Sequence, residues 1–170
     1  MTSKLLKIAE AEVGVRESGG NNSGRRIREY QTATNLKPAS WPWCAAFVCY
    51  CIREWLNDPE VVAWLGLKSS TPESWRPKTA LAYGFYAWSK SHPKTTLLFD
   101  ETAQPEAGDI VMFDFSHVGF VVRKDGDFIE TIEGNTNTKG TRDSVSGDGV
   151  FRKIRHKSIV RNFLRIRPSC

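Results

Sequence analysis

The sequence predicts an α+β fold, with helices first and an antiparallel sheet after them. Three observations carry this. Apolar residues recur with a helical period in segments up to about residue 89. From Pro105 the period shortens to two, in runs rich in Val, Ile and Phe. No strand–helix–strand alternation intervenes, so a parallel sheet is not expected. The 170 residues are 40% hydrophobic and 25% charged, with six Trp and nine Phe. That is enough for one good core and little for two, so residues 1–170 read as a single domain.

The elements follow in order. Leu5, Leu6, Ile8, Ala9 and Val13 mark an amphipathic helix over 3–13, ending near Gly14. Arg16 to Gly24 is a polar, glycine-rich loop. Ser23 or a neighbour caps a second helix, about 24–35, with Ile27 and Tyr30 facing inward. Pro42 lacks an N–H and pushes the residue before it from helical angles, so 38–42 is irregular. A nearly all-apolar helix follows over 43–56. Asp58 before Pro59 is an N-cap followed by proline at the first helical position, opening a short helix that ends at Gly66. Residues 71–77 read as a loop and 78–89 as a helix. Strands are expected at 109–115, 117–123 and 127–133, the last two joined by a hairpin turn at Lys124-Asp125-Gly126-Asp127. A polar loop over 134–149 leads to final strands at 150–154 and 163–166.

A net charge of +5 suits an anionic partner, whether nucleic acid, membrane surface or wall polymer, without choosing among them. The basic run Arg152-Lys153-Ile154-Arg155-His156-Lys157 reads as a solvated strand edge and turn. The segment Met1–Glu10 has charges too early for a secretory signal, and no stretch is long and apolar enough to enter a membrane. The protein is therefore expected in the cytoplasm unless another system exports it. Cys44, Cys49, Cys51 and Cys170 give neither a disulfide framework nor zinc spacing. Cys49 and Cys51 read as core residues and Cys170 as inert.

Cys44 differs because it falls in the first turn of the apolar helix. Unpaired N–H groups and the positive end of the dipole favour a thiolate there. The stretch alone leaves open a nucleophile or a small buried hydrophobe. A nucleophile needs a base and the base an orienting group. His92 and His156 lie in polar surroundings and read as surface residues. His117 begins an apolar strand, either as a satisfied core residue or as a placed one. The hairpin sets the start of its strand beside the end of the next, bringing Glu133 close to His117. Glu133 would then fix the tautomer, with Asn135 at the same edge. The three placements together favour a Cys44-His117-Glu133 site.

At this point the chain resembles a known family. Trp43-Cys44-Ala45-Ala46-Phe47-Val48, Gly108 to Phe113, His117-Val118-Gly119-Phe120-Val121 and Glu133-Gly134-Asn135 resemble the ordered motifs of CHAP-domain proteins. The leader Val13 to Gly20 resembles that of one CHAP branch. The resemblance implies a papain-like (NlpC/P60/CHAP) fold, with N-terminal helices packed on a C-terminal antiparallel sheet. It implies Cys44 as nucleophile, His117 as base and Glu133 as orienter, with peptidoglycan as substrate, cut at the sugar–peptide amide or within the peptide. Asn135, Trp43 and Glu17 are expected to contact substrate, and Trp41 and Trp75 to line a groove or pack in the core. Asn21-Asn22-Ser23-Gly24 lacks the carboxylates of a calcium loop, so no metal or other cofactor is expected.

A phage endolysin or a delivered antibacterial effector would both fit. An effector would have an inhibitory immunity protein as partner. A monomer is expected, with no nucleic acid partner and no membrane insertion. Two other classes stand beside this one. A cysteine peptidase or amidase acting on a non-wall peptide would leave sacculi intact. A non-catalytic binder of anionic polymer would need none of Cys44, His117 and Glu133.

Overall fold

A computed structural model describes residues 1–139 and 147–169. The middle of the expected 134–149 loop and Cys170 lie outside them. The order is α1 (Thr2–Ala11), α2 (Arg25–Gln31), α3 (Cys44–Trp55), α4 (Pro59–Trp64), α5 (Pro72–Trp75), α6 (Gly84–Ser91), then β1 (Thr96–Phe99), β2 (Ile110–Phe113), β3 (Val118–Asp125), β4 (Phe128–Thr136), β5 (Gly149–His156) and β6 (Val160–Ile166). The strands form one antiparallel sheet in the order β1-β6-β2-β3-β4-β5. The expected α+β class is thus the observed one.

Strand alternation divides the apolar residues between two faces. Ile110, Met112, Phe120, Ile132 and Leu164 join the helices in the larger core. Val111, Phe113, Val121, Ile129 and Phe163 form a smaller cluster with Ile159 and Val160. α3 packs against β3 and β4 and is covered in turn by α1 and α2. Ten of its twelve residues are buried, which is why it reads as apolar nearly all round. One glycine sets the closeness of this contact. A Cβ on Gly134 would lie 2.6 Å from Phe47 Cβ and 2.9 Å from the Trp43 ring, so only glycine lets β4 pass the first turn of α3.

Several expectations need correction. The 78–89 helix begins only at Gly84. Thr79 Oγ1 accepts the Leu81 N–H at 3.0 Å, a local turn that competes with helix and frees residues 80–82. The 71–77 loop contains the one-turn helix α5, started by Pro72. β1 was not expected; it is a four-residue strand at the sheet edge, paired with β6. Of Ser23 and its neighbours it is Gly24 that caps α2, with no side-chain hydrogen bond. The basic run is not a solvated edge throughout. Lys153 and Arg155 are buried, while Ile154 is 72% exposed. β5 turns its alternate cations inward because carboxylate and carbonyl acceptors wait there. His92 is half-buried, packed on Trp75 and Trp88.

Candidate active site

Cys44 is the first residue of α3, with Trp43 as N-cap. The sulfur-bearing residue is 5% exposed. It borders a cleft of about 470 Å³ lined also by Asn22, Trp41, Leu81, Ala82 and Ser116. The 80–82 turn, released from α6, supplies one wall. Trp41 and Pro42, ahead of the helix, supply another.

His117 stands just before β3, fully buried. Its Nε2 is 2.9 Å from Glu133 Oε2. Its Nδ1 is buried with no hydrogen-bond partner among the described residues. Phe113 and Phe115 stack with the ring at 5.9 and 5.5 Å, fixing its plane. Glu133 reaches His117 by the strand register. Phe120 pairs with Ile132, so the ladder carries Gly119 opposite Glu133. A Cβ on Gly119 would sit 2.7 Å from Glu133 Cγ and 2.8 Å from the Ile132 carbonyl. The carboxylate passes over the space that glycine leaves.

Two residues that sequence reasoning missed complete this row. Arg155 Nε donates to Glu133 Oε1 at 2.9 Å and Nη2 to Oε2 at 2.5 Å. Thr131 Oγ1 donates to Oε1 at 2.6 Å. The period-two placement of Lys153 and Arg155 was the available signal, since it puts both on one face of β5. Burial alone would raise the Glu133 pKa, but Arg155 and His117 outweigh it and hold the carboxyl down at about 2. Burial opposes charge on His117 too. The adjacent Cys44 and the Glu133 carboxylate outweigh it and push its pKa up to about 9. Cys49 and Cys51 are core thiols, as expected; burial pushes Cys49 up to about 12 and Cys51 well above its ordinary value.

Cys44, His117 and Glu133 are thus brought together. Asn135, Trp43 and Glu17 are not among the residues that line the cleft. Trp43 is fully buried, and its Nε1 donates to Glu17 Oε1 at 2.7 Å. Glu17 Oε2 accepts from the Asn22 N–H at 2.7 Å. With the Asn135 amide turned to the orientation its neighbours call for, its oxygen accepts from the Trp43 N–H and its nitrogen donates to the Gly147 carbonyl, each at 3.2 Å. Trp41 does line the cleft, and Trp75 is core, donating to Thr95 Oγ1 at 3.0 Å. Among the described residues three non-glycine positions have left-handed backbones: Asn22, Ser116 and Asn135, with φ of 53°, 60° and 55°. All three border the cleft or brace its floor, where such strain concentrates.

The model of the CHAP domain family matches residues 36–135. This chain belongs to the CHAP domain family. The matched span contains Cys44, His117, Glu133 and Asn135 and makes up more than half of the chain. The CHAP fold recurs among solved structures. The crystal structure of Ly7917 aligns with a TM-score of 0.52 and 18% identity, over 99% of this chain and 62% of that one. A second structure, of Ly7917 with the hydrolyzing product of MDP, gives 0.51 and 16%, over 98% and 63%. This chain therefore spans less than two thirds of that neighbour's length, and at this identity the likeness shows the fold. No curated protein matches the chain. Among the described residues of this CHAP domain no helix is long and apolar enough to cross a membrane.

Proposed function

We propose that this chain is one catalytic unit that hydrolyses an amide bond of the peptidoglycan peptide through Cys44, His117 and Glu133. The observation that carries this is the buried row Arg155–Glu133–His117, which ends in an unpartnered imidazole nitrogen beside the Cys44 cleft. A buried ring nitrogen without a hydrogen-bond partner calls for an explanation, and a base with Cys44 as its neighbour supplies one. The substrate class rests on family membership and on the neighbour Ly7917, which was crystallised with the hydrolyzing product of MDP.

The mechanism follows from the geometry. Glu133 holds the proton on Nε2 and leaves Nδ1 as the basic atom. Nδ1 takes the proton from Cys44, and Sγ attacks the amide carbonyl. The backbone N–H of Cys44, in the first turn of α3, has no intrahelical acceptor and donates to the oxyanion. The imidazolium then protonates the leaving amine, and water, activated by the neutral ring, hydrolyses the thioester.

Purified sacculi treated with wild type and with Cys44→Ala test this, with released fragments identified by mass. Wild type is expected to release fragments and Cys44→Ala none. New amino groups on otherwise intact stem peptides identify an amidase, and shortened stems an endopeptidase. Equal release by the variant removes Cys44 from the reaction. Sacculi left intact by both proteins remove the wall from the substrate class.

A further inference from the structure

Asn22 is a polar residue with an unexplained position. It is 8% exposed, yet its side-chain amide makes no hydrogen bond among the described residues. It borders the same cleft as Cys44. Its amide keeps what exposure the residue has, and that exposure is toward the cleft. Its backbone is left-handed, at φ 53°, which carries a cost. The surroundings hold it there. Glu17 takes the Asn22 N–H with one oxygen and the Trp43 indole N–H with the other, both at 2.7 Å. Trp43 is the residue before Cys44, so one carboxylate ties the asparagine loop to the start of α3. The leader is in turn fixed to the sheet, where Glu17 N–H donates to the Asp148 carbonyl at 2.8 Å and Gly14 N–H to that of Val150 at 2.9 Å. A polar side chain is thus held on a braced loop, with its hydrogen bonds unused, facing the nucleophile's cleft.

We propose that the Asn22 carboxamide is the second oxyanion donor, acting with the Cys44 backbone N–H; this rests on the reading of Cys44 as nucleophile. As the Sγ–carbon bond forms, the carbonyl π pair moves to oxygen. The Asn22 N–H₂ donates to that oxyanion until the pair returns, the carbon–nitrogen bond breaks and the amine leaves with the proton from His117. The neutral amide of the substrate carries less charge there, so the bond strengthens in the transition state.

The test compares two reactions of Cys44 in wild type, Asn22→Gly and Cys44→Ala. Acylation by p-nitrophenyl acetate passes through an oxyanion; alkylation by iodoacetamide does not. Neither depends on the wall as substrate. Glycine keeps the left-handed backbone and removes only the amide. The expected result is acylation slower by about 10²–10³-fold in Asn22→Gly, with alkylation at the wild-type rate. Unchanged acylation overturns the proposal. So does an equal fall in both reactions, because Asn22 would then be positioning the Cys44–His117 pair. An acylation burst that survives in Cys44→Ala removes the nucleophile itself, a different failure from either.

Discussion

Arg155 grips Glu133 from beneath with two parallel bonds, Nε to Oε1 and Nη2 to Oε2, at 2.9 and 2.5 Å. Both side chains are essentially out of solvent. Such a pair adds little over a well-packed apolar substitute, but removing one partner leaves an uncompensated charge. The site needs Glu133 ionised beside His117, and Arg155 supplies that condition. Arg155→Met should cost about 3–5 kcal/mol in denaturant unfolding. It should also raise the Glu133 pKa. Unfolding at wild-type denaturant would show that Glu133 does not depend on this cation.

The same row sets a pH window. The His117 pKa is raised from 6.5 to about 9, so its contribution to stability is complete below pH 6.5 and is lost as pH rises through about 9. The Glu133 pKa is lowered from 4.5 to about 2, so its contribution is complete above pH 4.5 and is lost as pH falls through about 2. These two groups together favour the fold most between those limits, at pH 4.5–6.5. Hydrolysis should fall on the alkaline side near pH 9, where the ring can no longer protonate the leaving amine. Glu133→Gln removes a charge that supports the imidazolium, so its alkaline limb should lie at lower pH. A limb unmoved by that change would sever Glu133 from the titration.

Gly119 and Gly134 are absences that the site requires. Alanine at 119 meets the Ile132 carbonyl, which cannot swing aside as a side chain can. Gly119→Ala should displace the carboxylate from His117 and cost about 1–3 kcal/mol. Gly134→Ala should push β4 off the first turn of α3 at a similar cost. Both should lose hydrolysis beyond what the lost stability explains. Full activity in a folded Gly119→Ala protein would mean that Glu133 has another route to the imidazole.

The part of this site legible in sequence was the part written in local pattern. Pro42 and the apolar run after it fixed Cys44 at a helix start. The turn at Gly126 fixed the hairpin, and the hairpin fixed Glu133 beside His117. Arg155 was hidden because a cation in a strand is read as exposed, and the run Arg152–Lys157 is mostly cations. Burial of Arg155 depends on Glu133 across the sheet, at a separation of 22 residues, which no local window covers. The cleft wall at 80–82 was hidden for a different reason. Alanine and aromatics there favour helix, and a single Thr79 hydroxyl, following Pro77, outcompetes them. The placement of Asn22 depends on Glu17, which holds its backbone N–H and the Trp43 indole together, a contact that spacing along the chain does not reveal.

Tyr83 gives the last prediction. Its hydroxyl donates to the Phe113 carbonyl at 2.9 Å and accepts from the Ser116 N–H at 3.0 Å. It thereby closes the β2–β3 turn, whose left-handed residue Ser116 precedes His117. Arg161 lies over its ring at 4.2 Å and holds it in place. Tyr83→Phe removes both bonds and keeps the ring. Each is worth about 0.5–1.5 kcal/mol, so the fold should survive. The turn should loosen, and with it the aim of the His117 ring at Cys44. Small errors in aim cost rate heavily, so kcat should fall while KM holds. The alkaline limb should stay near pH 9, because Glu133 and Arg155 are untouched. A fall in KM affinity with kcat preserved would place Tyr83 in the substrate's path and not behind the base.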